Sequence, residues 1–209
     1  LKPLAWQGAL CYGPSPSSKA TFTHPASLLK NWNGLPDPAE AAPAVIKRYL
    51  SAYGPATPET FDAWLSRNSN KKSTLRSWFA SIGEQIVEVR VEGETRYLLA
   101  EHEDELAATR PSRATHLLGA FDQFVLGPGT KDTHMLAHEH RPLVSKAAGW
   151  IAPVLTQGGR ITGVWEMDDG NLVVTPFPGE QAPPSQVLED AAARLTAVHG
   201  SVKVTPRVD

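Results

Sequence analysis

Between residues 43 and 99 the apolar positions recur three times with helical spacing and then switch to alternation. Pro43 suits a first helical turn. Ala44, Val45, Tyr49, Leu50 and Ala52 follow as a one-sided stripe, which Gly54-Pro55 stops. Thr57 is a good N-cap, with Pro58 and Thr60 at the first and third helical positions. A second helix is predicted over 58–66, burying Phe61, Trp64 and Leu65. Residues 67–71 are polar and turn-like. Ser73 caps a third predicted helix over about 73–82, with Leu75, Trp78, Phe79 and Ile82 on one face and Gly83 closing it. Residues 86–91 and 96–99 read as strands separated by Glu92-Gly93-Glu94-Thr95. Three short helices and a two-stranded hairpin follow the order of a winged helix, with the second and third helices as its helix-turn-helix pair.

On either side the pattern changes. Residues 1–8 read as the last turn of a helix ending at Gly8, and 9–12 and 20–23 as a hairpin with a long tip. Leu4-Ala5-Trp6-Gln7-Gly8 lines up with Phe79-Ala80-Ser81-Ile82-Gly83, and a hairpin follows each. Residues 1–24 are therefore expected to be the tail and wing of a preceding winged helix. With no initiator Met, the reading is of a fragment whose parent continues N-terminally; a natural start after Met removal is the alternative. Residues 25–42 form a connector, 43–100 the winged helix and 101–112 an acidic linking helix. From 113 to 209 the chain is β-rich. Strands are predicted at 116–121, 123–126, 142–145, 150–157, 160–166 and 171–177, with tight turns at Gly158-Gly159 and Asp168-Asp169-Gly170. Six strands at this spacing suggest a small β-barrel. A C-terminal helix over 184–198 carries Val187, Leu188, Ala191, Leu195 and Val198 on one face, and 201–205 reads as a last strand. The expected fold class is α+β.

Composition narrows the partners. The chain has 209 residues, 41% hydrophobic and 20% charged, with 16 Gly and 18 Pro. No run of apolar residues is long enough to cross a membrane. Cys11 is the only cysteine, which excludes an internal disulfide or a cysteine-clustered zinc site and fits a reducing cytosol. The formal net charge is −2, so nucleic-acid binding needs a local patch. Residues 43–83 supply one: Lys47, Arg48, Arg67, Lys71, Lys72 and Arg76 stand against only Glu59 and Asp62. Lys71, Lys72 and Arg76 gather at the start of the third helix, where groove-reading residues of this motif lie. Helix N-terminal N–H groups and cationic side chains both favour phosphate.

Other chemistry is thinner. His134, His138 and His140 stand close to Glu139, and His-x-His spacing on a strand would aim both rings to one face. Without cysteines or a second carboxylate cluster, a metal-free loop is the preferred reading. Asp122, at a strand end, reads as a turn or capping residue rather than a general base. Cys11 reads as a small buried hydrophobe. Trp6, Trp32, Trp64, Trp78, Trp150 and Trp165 fit core positions. No phosphate loop, Gly-x-Ser-x-Gly or His-Glu-x-x-His string occurs, so no cofactor and no catalytic pair are named.

Four segments carry a resemblance. Arg48-Tyr49-Leu50 precedes Gly54-Pro55-Ala56-Thr57, Phe61 and Trp64. Gly8-Ala9-Leu10-Cys11-Tyr12-Gly13-Pro14 lies before that. Phe121-Asp122-Gln123-Phe124-Val125-Leu126-Gly127 follows, then Gly149, Pro153-Val154, Gly159-Arg160, Gly163 and Trp165. In order and spacing these resemble the AlkZ/YcaQ-like winged-helix family of bacterial DNA glycosylases. The resemblance implies tandem winged helices and a C-terminal β-barrel around a DNA-binding face, and base excision on alkylated or crosslinked DNA. The family's catalytic polar motif, Gln-x-Gln or Gln-x-Asp, belongs to its N-terminal winged helix. Gln7, Gln123 and Gln157 do not form one. From Gly127, Gly-Pro-Gly-Thr-Lys-Asp stands where the family carries a basic stretch, with Lys131 as a partial substitute. Lys131 and Arg160 complete the candidate DNA contacts. The resulting expectation is a cytoplasmic monomer that binds double-stranded DNA as the C-terminal portion of such a glycosylase, without metal or cofactor. A winged-helix regulator without catalysis and a protein-interaction module are the alternatives.

Overall fold

A computed structural model describes residues 1–15, 17–168, 171–199 and 206–208. The chain divides into two compact units, Leu1–Val45 and Ile46–Asp209. The first holds helix α1 (Lys2–Trp6) and a short hairpin of β1 (Cys11–Tyr12) and β2 (Phe22–Thr23), paired antiparallel. A 3-10 turn, Pro25–Ser27, follows, with His24 Nδ1 accepting from the Ala26 amide at 3.1 Å.

Helix α2 (Pro38–Tyr53) runs across the division and starts earlier than Pro43. The carboxylate of Asp37 accepts from the Ala39 amide at 2.8 Å, and Pro38 occupies the first turn. These two start signals reinforce each other and leave Pro43 inside the helix. Helix α3 (Pro58–Ser66) has the expected Thr57 cap, reciprocated by Thr60 in a capping box. Helix α4 (Lys72–Ala80) begins one residue before Ser73, with Lys71 as its N-cap. Strands β3 (Ile86–Val91) and β4 (Glu94–Leu99) pair antiparallel, and only Glu92 and Gly93 form the turn. Both have positive φ, 48° and 88°, the geometry that a two-residue hairpin turn needs. Ala56 joins β4 by an isolated bridge to Tyr97.

Ile46, Tyr49, Leu50, Phe61, Leu75, Phe79, Ile82, Leu98 and Leu99 are buried. Phe61 meets Tyr49 and Phe79 edge-on, with centroids 5.4 and 5.8 Å apart. Trp64 and Leu65, expected inside, are 40% and 43% exposed, and none of the six tryptophans is buried. An indole is large and needs a partner for its N–H, so the smaller apolar residues fill the interior instead.

A 3-10 turn, Ala100–His102, and helix α5 (Glu103–Ala108) lead into β5 (Thr115–Leu118). Two of the expected strands are helices: α6 (Gln123–Leu126) and α7 (Arg141–Val144). Asp122 caps α6 by accepting from the Phe124 amide at 2.8 Å, and Pro142 sits in the first turn of α7. Four-residue apolar runs look alike as strand or helix, and these local start signals decide the outcome.

Among the described residues the remaining five strands do not close on themselves, because the first and last in the sheet each pair with one neighbour. Strands β6 (Val154–Gln157), β7 (Arg160–Asp168), β8 (Asn171–Pro176) and β9 (Pro206–Val208) join β5 in an open sheet ordered β5-β6-β7-β8-β9, with only the β8–β9 pair parallel. The expected barrel is therefore corrected to an open α+β sheet. Helix α8 (Ser185–His199) packs Leu188, Ala191 and Ala192 against Leu117, Leu155, Leu172 and Val174. Val125, Met135, Leu136, Val144, Ile151, Val154, Ile161 and Phe177 form a second buried cluster. With one cluster on each face, Val154 and its neighbour Leu155 are both fully buried. The expected strand at 201–205, Asp169-Gly170 and the side chain of Val198 lie outside the described residues. Among the described residues no helix is long and apolar enough to cross a membrane.

The helical part meets the 121–127 segment through two tyrosines. Tyr49 donates its hydroxyl to the Gly127 carbonyl at 3.1 Å. Burial, with smaller contributions from its neighbours, raises its pKa above the ordinary value and keeps the hydroxyl a donor. Tyr53 donates to Gln123 Oε1 at 3.3 Å, and its ring lies where a side chain at Gly127 would go, 2.1 Å from a built Cβ. Gly127→Ala is expected to destabilise the fold by about 1–3 kcal/mol through overpacking. Gly119→Ala is the control, because nothing lies within 4 Å of its Cβ position. Denaturant unfolding of the two variants checks this, with Gly119→Ala expected near wild type.

Candidate nucleic-acid interface

The turn between α3 and α4 is organised from inside. Asp62 is 2% exposed, and its carboxylate accepts from Ser66 Oγ, from the Asn70 amide at 3.2 Å and from Asn70 Nδ2 at 2.6 Å. Arg67 and Asn68 take left-handed φ of 59° and 63°, and the Asn68 amide donates to the Asp62 carbonyl at 3.3 Å. Folding the turn inward around one acid sends Lys71, Lys72 and Arg76 outward. All three are exposed, and none is in an ion pair among the described residues. Arg76 Nε donates along the helix to the Lys72 carbonyl at 3.4 Å. These cations share the first turn and a half of α4.

The other candidates are dispersed. Lys47, on α2, donates to Gln85 Oε1 at 2.8 Å, and Arg48 is exposed on the same helix. Arg67 and Lys131 line a cleft of about 980 Å³ between α3, the β3–β4 turn and residues 128–149. Arg160, at the start of β7, donates to the His134 carbonyl at 3.1 Å. The cleft also holds Arg141, which donates to Thr130 Oγ1 at 3.2 Å, and a buried network that sequence reasoning missed.

At its centre is Arg96, only 8% exposed. Its guanidinium reaches Asp132 Oδ2 at 3.1 Å, Glu94 Oε2 at 2.9 Å, the Pro55 carbonyl at 3.4 Å and His134 Nδ1 at 2.8 Å. The same Nδ1 lies 3.1 Å from Asp132 Oδ1, and His134 Nε2 lies 3.5 Å from Glu92 Oε2, so the imidazole sits between the guanidinium and two carboxylates. Burial alone would lower the Arg96 pKa, but the hydrogen bond and charge of Asp132, then those of Glu94, raise it. Burial likewise works to raise the Asp132 pKa, yet Arg96 and the His134 amide hold it below the ordinary carboxylate value. One signal was available: in β4, Arg96 alternates with buried Leu98, so its position faces inward and demands an acid.

The three histidines do different work. His134 belongs to this network, His138 is exposed, and His140 is buried with its ring stacked on Phe177 at 4.5 Å. Cys11 is half-buried and donates to the Thr23 carbonyl at 3.6 Å.

Removing Asp132 strands much of the Arg96 charge. Asp132→Ala is expected to cost about 3 kcal/mol, the low end for a broken buried pair because Glu94 remains. Glu94→Ala, at a half-exposed carboxylate, should cost less than about 1 kcal/mol. Because the Asp132 pKa is lowered on folding, its contribution is complete above the unfolded value of about 3.9 and is lost as pH falls through the folded one. The stability gap between wild type and Asp132→Asn, read by urea unfolding, should be flat from about pH 5 to neutrality and shrink below about pH 4.

A family model described as DNA glycosylase AlkZ-like matches residues 1–198. An interstrand DNA cross-link repair glycosylase from Streptomyces sahachiroi is 54% identical over all 209 residues, which make up 56% of that relative. The solved structure of Streptomyces sahachiroi DNA glycosylase AlkZ superposes with a TM-score of 0.95 at 53% identity, covering 100% of this chain and 56% of its own. The chain thus spans a little over half the length of these relatives. The resemblance carried by the four sequence segments is borne out: the chain belongs to the AlkZ-like DNA glycosylase family.

Proposed function

We propose that the chain is a DNA-binding portion of an AlkZ-like glycosylase acting on alkylated or crosslinked bases in the bacterial cytoplasm. In this reading residues 43–100 are a winged helix: α3 and α4 are its helix-turn-helix pair and β3–β4 its wing. Residues 1–24 are the tail of a preceding one. One copy grips the backbone of duplex DNA through α4. The catalytic Gln-x-Gln or Gln-x-Asp motif lies in a part of the parent that this chain does not include. The observation that carries the reading is the outward cluster of Lys71, Lys72 and Arg76, unpaired among the described residues, in a family of DNA glycosylases. Phosphate is the natural counter-charge for such a cluster, and its contacts position a protein without reading sequence. Arg67 and Lys131 line the cleft together with Glu59, Glu92 and Glu94.

The test is salt-dependent binding to a duplex, read by gel shift or anisotropy. Abolishing one phosphate interaction should flatten the slope of log affinity against log salt by about 0.9. Lys71→Glu with Lys72→Glu and Arg76→Glu should therefore weaken binding strongly and flatten the slope by roughly two to three. No binding at low salt, or an unchanged triple variant, refutes the reading. Abasic-site formation by the longer parent on alkylated or crosslinked DNA separates a glycosylase from a regulator.

A further inference from the structure

The first unit presents aromatic surface that packing within the described residues does not explain. Tyr12 and Phe22 are cross-strand partners in the β1–β2 hairpin. Their rings stack with centroids 5.3 Å apart and planes 28° from parallel. Tyr12 is 74% exposed and Phe22 46%. The neighbouring pair, Cys11 and Thr23, alternates to the other face and is half-buried. A single exposed ring needs no explanation, whereas a stacked pair whose more exposed member, Tyr12, is 74% accessible leaves an outer π face open at the surface.

Charge says what kind of face would meet it. No Asp or Glu occurs before Asp37, while Lys2, Lys19 and Lys30 do, in a chain whose net charge is −2. Lys19 is exposed in the loop that joins the two strands. An apolar protein partner gives no reason to exclude carboxylates over so long a stretch. A polyanion built of flat aromatic rings does.

We propose that the Tyr12–Phe22 pair is a base-stacking platform for an unpaired DNA base, with Lys19 meeting the adjoining phosphates. This rests on the DNA-binding reading and adds a second contact, distinct in chemistry from the cationic cluster on α4. A base inside a duplex has both faces covered by its neighbours. Only an unstacked base has a face to give, and stacking on a protein ring tolerates any base.

The experiment uses the 209-residue chain and two duplexes of one sequence. One is fully paired, and the other carries 2-aminopurine as a one-base bulge. Wild type should prefer the bulged duplex by about fivefold or more and should quench the 2-aminopurine emission. Tyr12→Leu with Phe22→Leu keeps the apolar area but removes both rings. It should lose the preference and the quenching while keeping affinity for the paired duplex. Tyr12→Phe should retain both, which separates the absence of stacking from a damaged hairpin. Charge reversal at Lys71, Lys72 and Arg76 should weaken both duplexes alike. The platform is overturned if the double Leu variant keeps the preference, if it weakens both duplexes equally, or if Tyr12→Phe fails as it does. It is also overturned if sedimentation shows a dimer that the Leu variant dissolves, which would give the rings to a second copy. A chain that binds neither duplex at low salt overturns the α4 reading as well.

Discussion

A guanidinium shut away from water must be answered on every side, and the answers come from segments far apart in the chain. Arg96 takes a carboxylate from its own hairpin, a carbonyl from the stretch before α3, and an acid and an imidazole from the 128–134 loop. Desolvating the ion is costly, so it is kept only where several partners converge. The convergence binds the β3–β4 hairpin, the start of α3 and the loop after α6 into one assembly. The wall of the large cleft is therefore set by this buried charge rather than by surface loops acting independently.

Many of the residues that gave the chain its family resemblance turn out to hold backbone in place. Leu50 oxygen lies 2.5 Å from where a Cβ on Gly54 would sit, Ala56 exchanges two hydrogen bonds with Tyr97, and Thr57 caps α3. Gly127 makes room for the Tyr53 ring, Gly163 for the Thr175 carbonyl, and Trp165 donates to the Leu118 carbonyl at 2.9 Å. These positions are about close approach and satisfied polar groups. The side chains proposed to meet a nucleic acid lie outside those strings, apart from Tyr12, Arg48 and Arg160.

The parts of the fold legible in the sequence were those with local signals. Thr57-Pro58 with Thr60 announced α3, and the polar break at residues 92–95 marked the hairpin, whose turn proves to be Glu92 and Gly93 alone. The cationic start of α4 was legible as the string Lys71, Lys72 and Arg76, and all three side chains are exposed. What escaped were choices made by tertiary context or by short caps. The 123–126 and 142–145 runs are apolar enough for strands, and Asp122 and Pro142 turn them into helices. The barrel expectation failed with them. The Arg96 network joins residues 36 and 38 positions apart, and no spacing rule reaches that far.

The turn between α3 and α4 is gripped entirely by its own atoms: Asp62, Ser66 and Asn70 satisfy one another beneath the surface. Nothing on the outer side of α4 takes part. Its solvent-facing side chains can drift through mutation without loosening the scaffold that aims them. A lineage built on this design is free to retarget its outer helix while inheriting the mount unchanged.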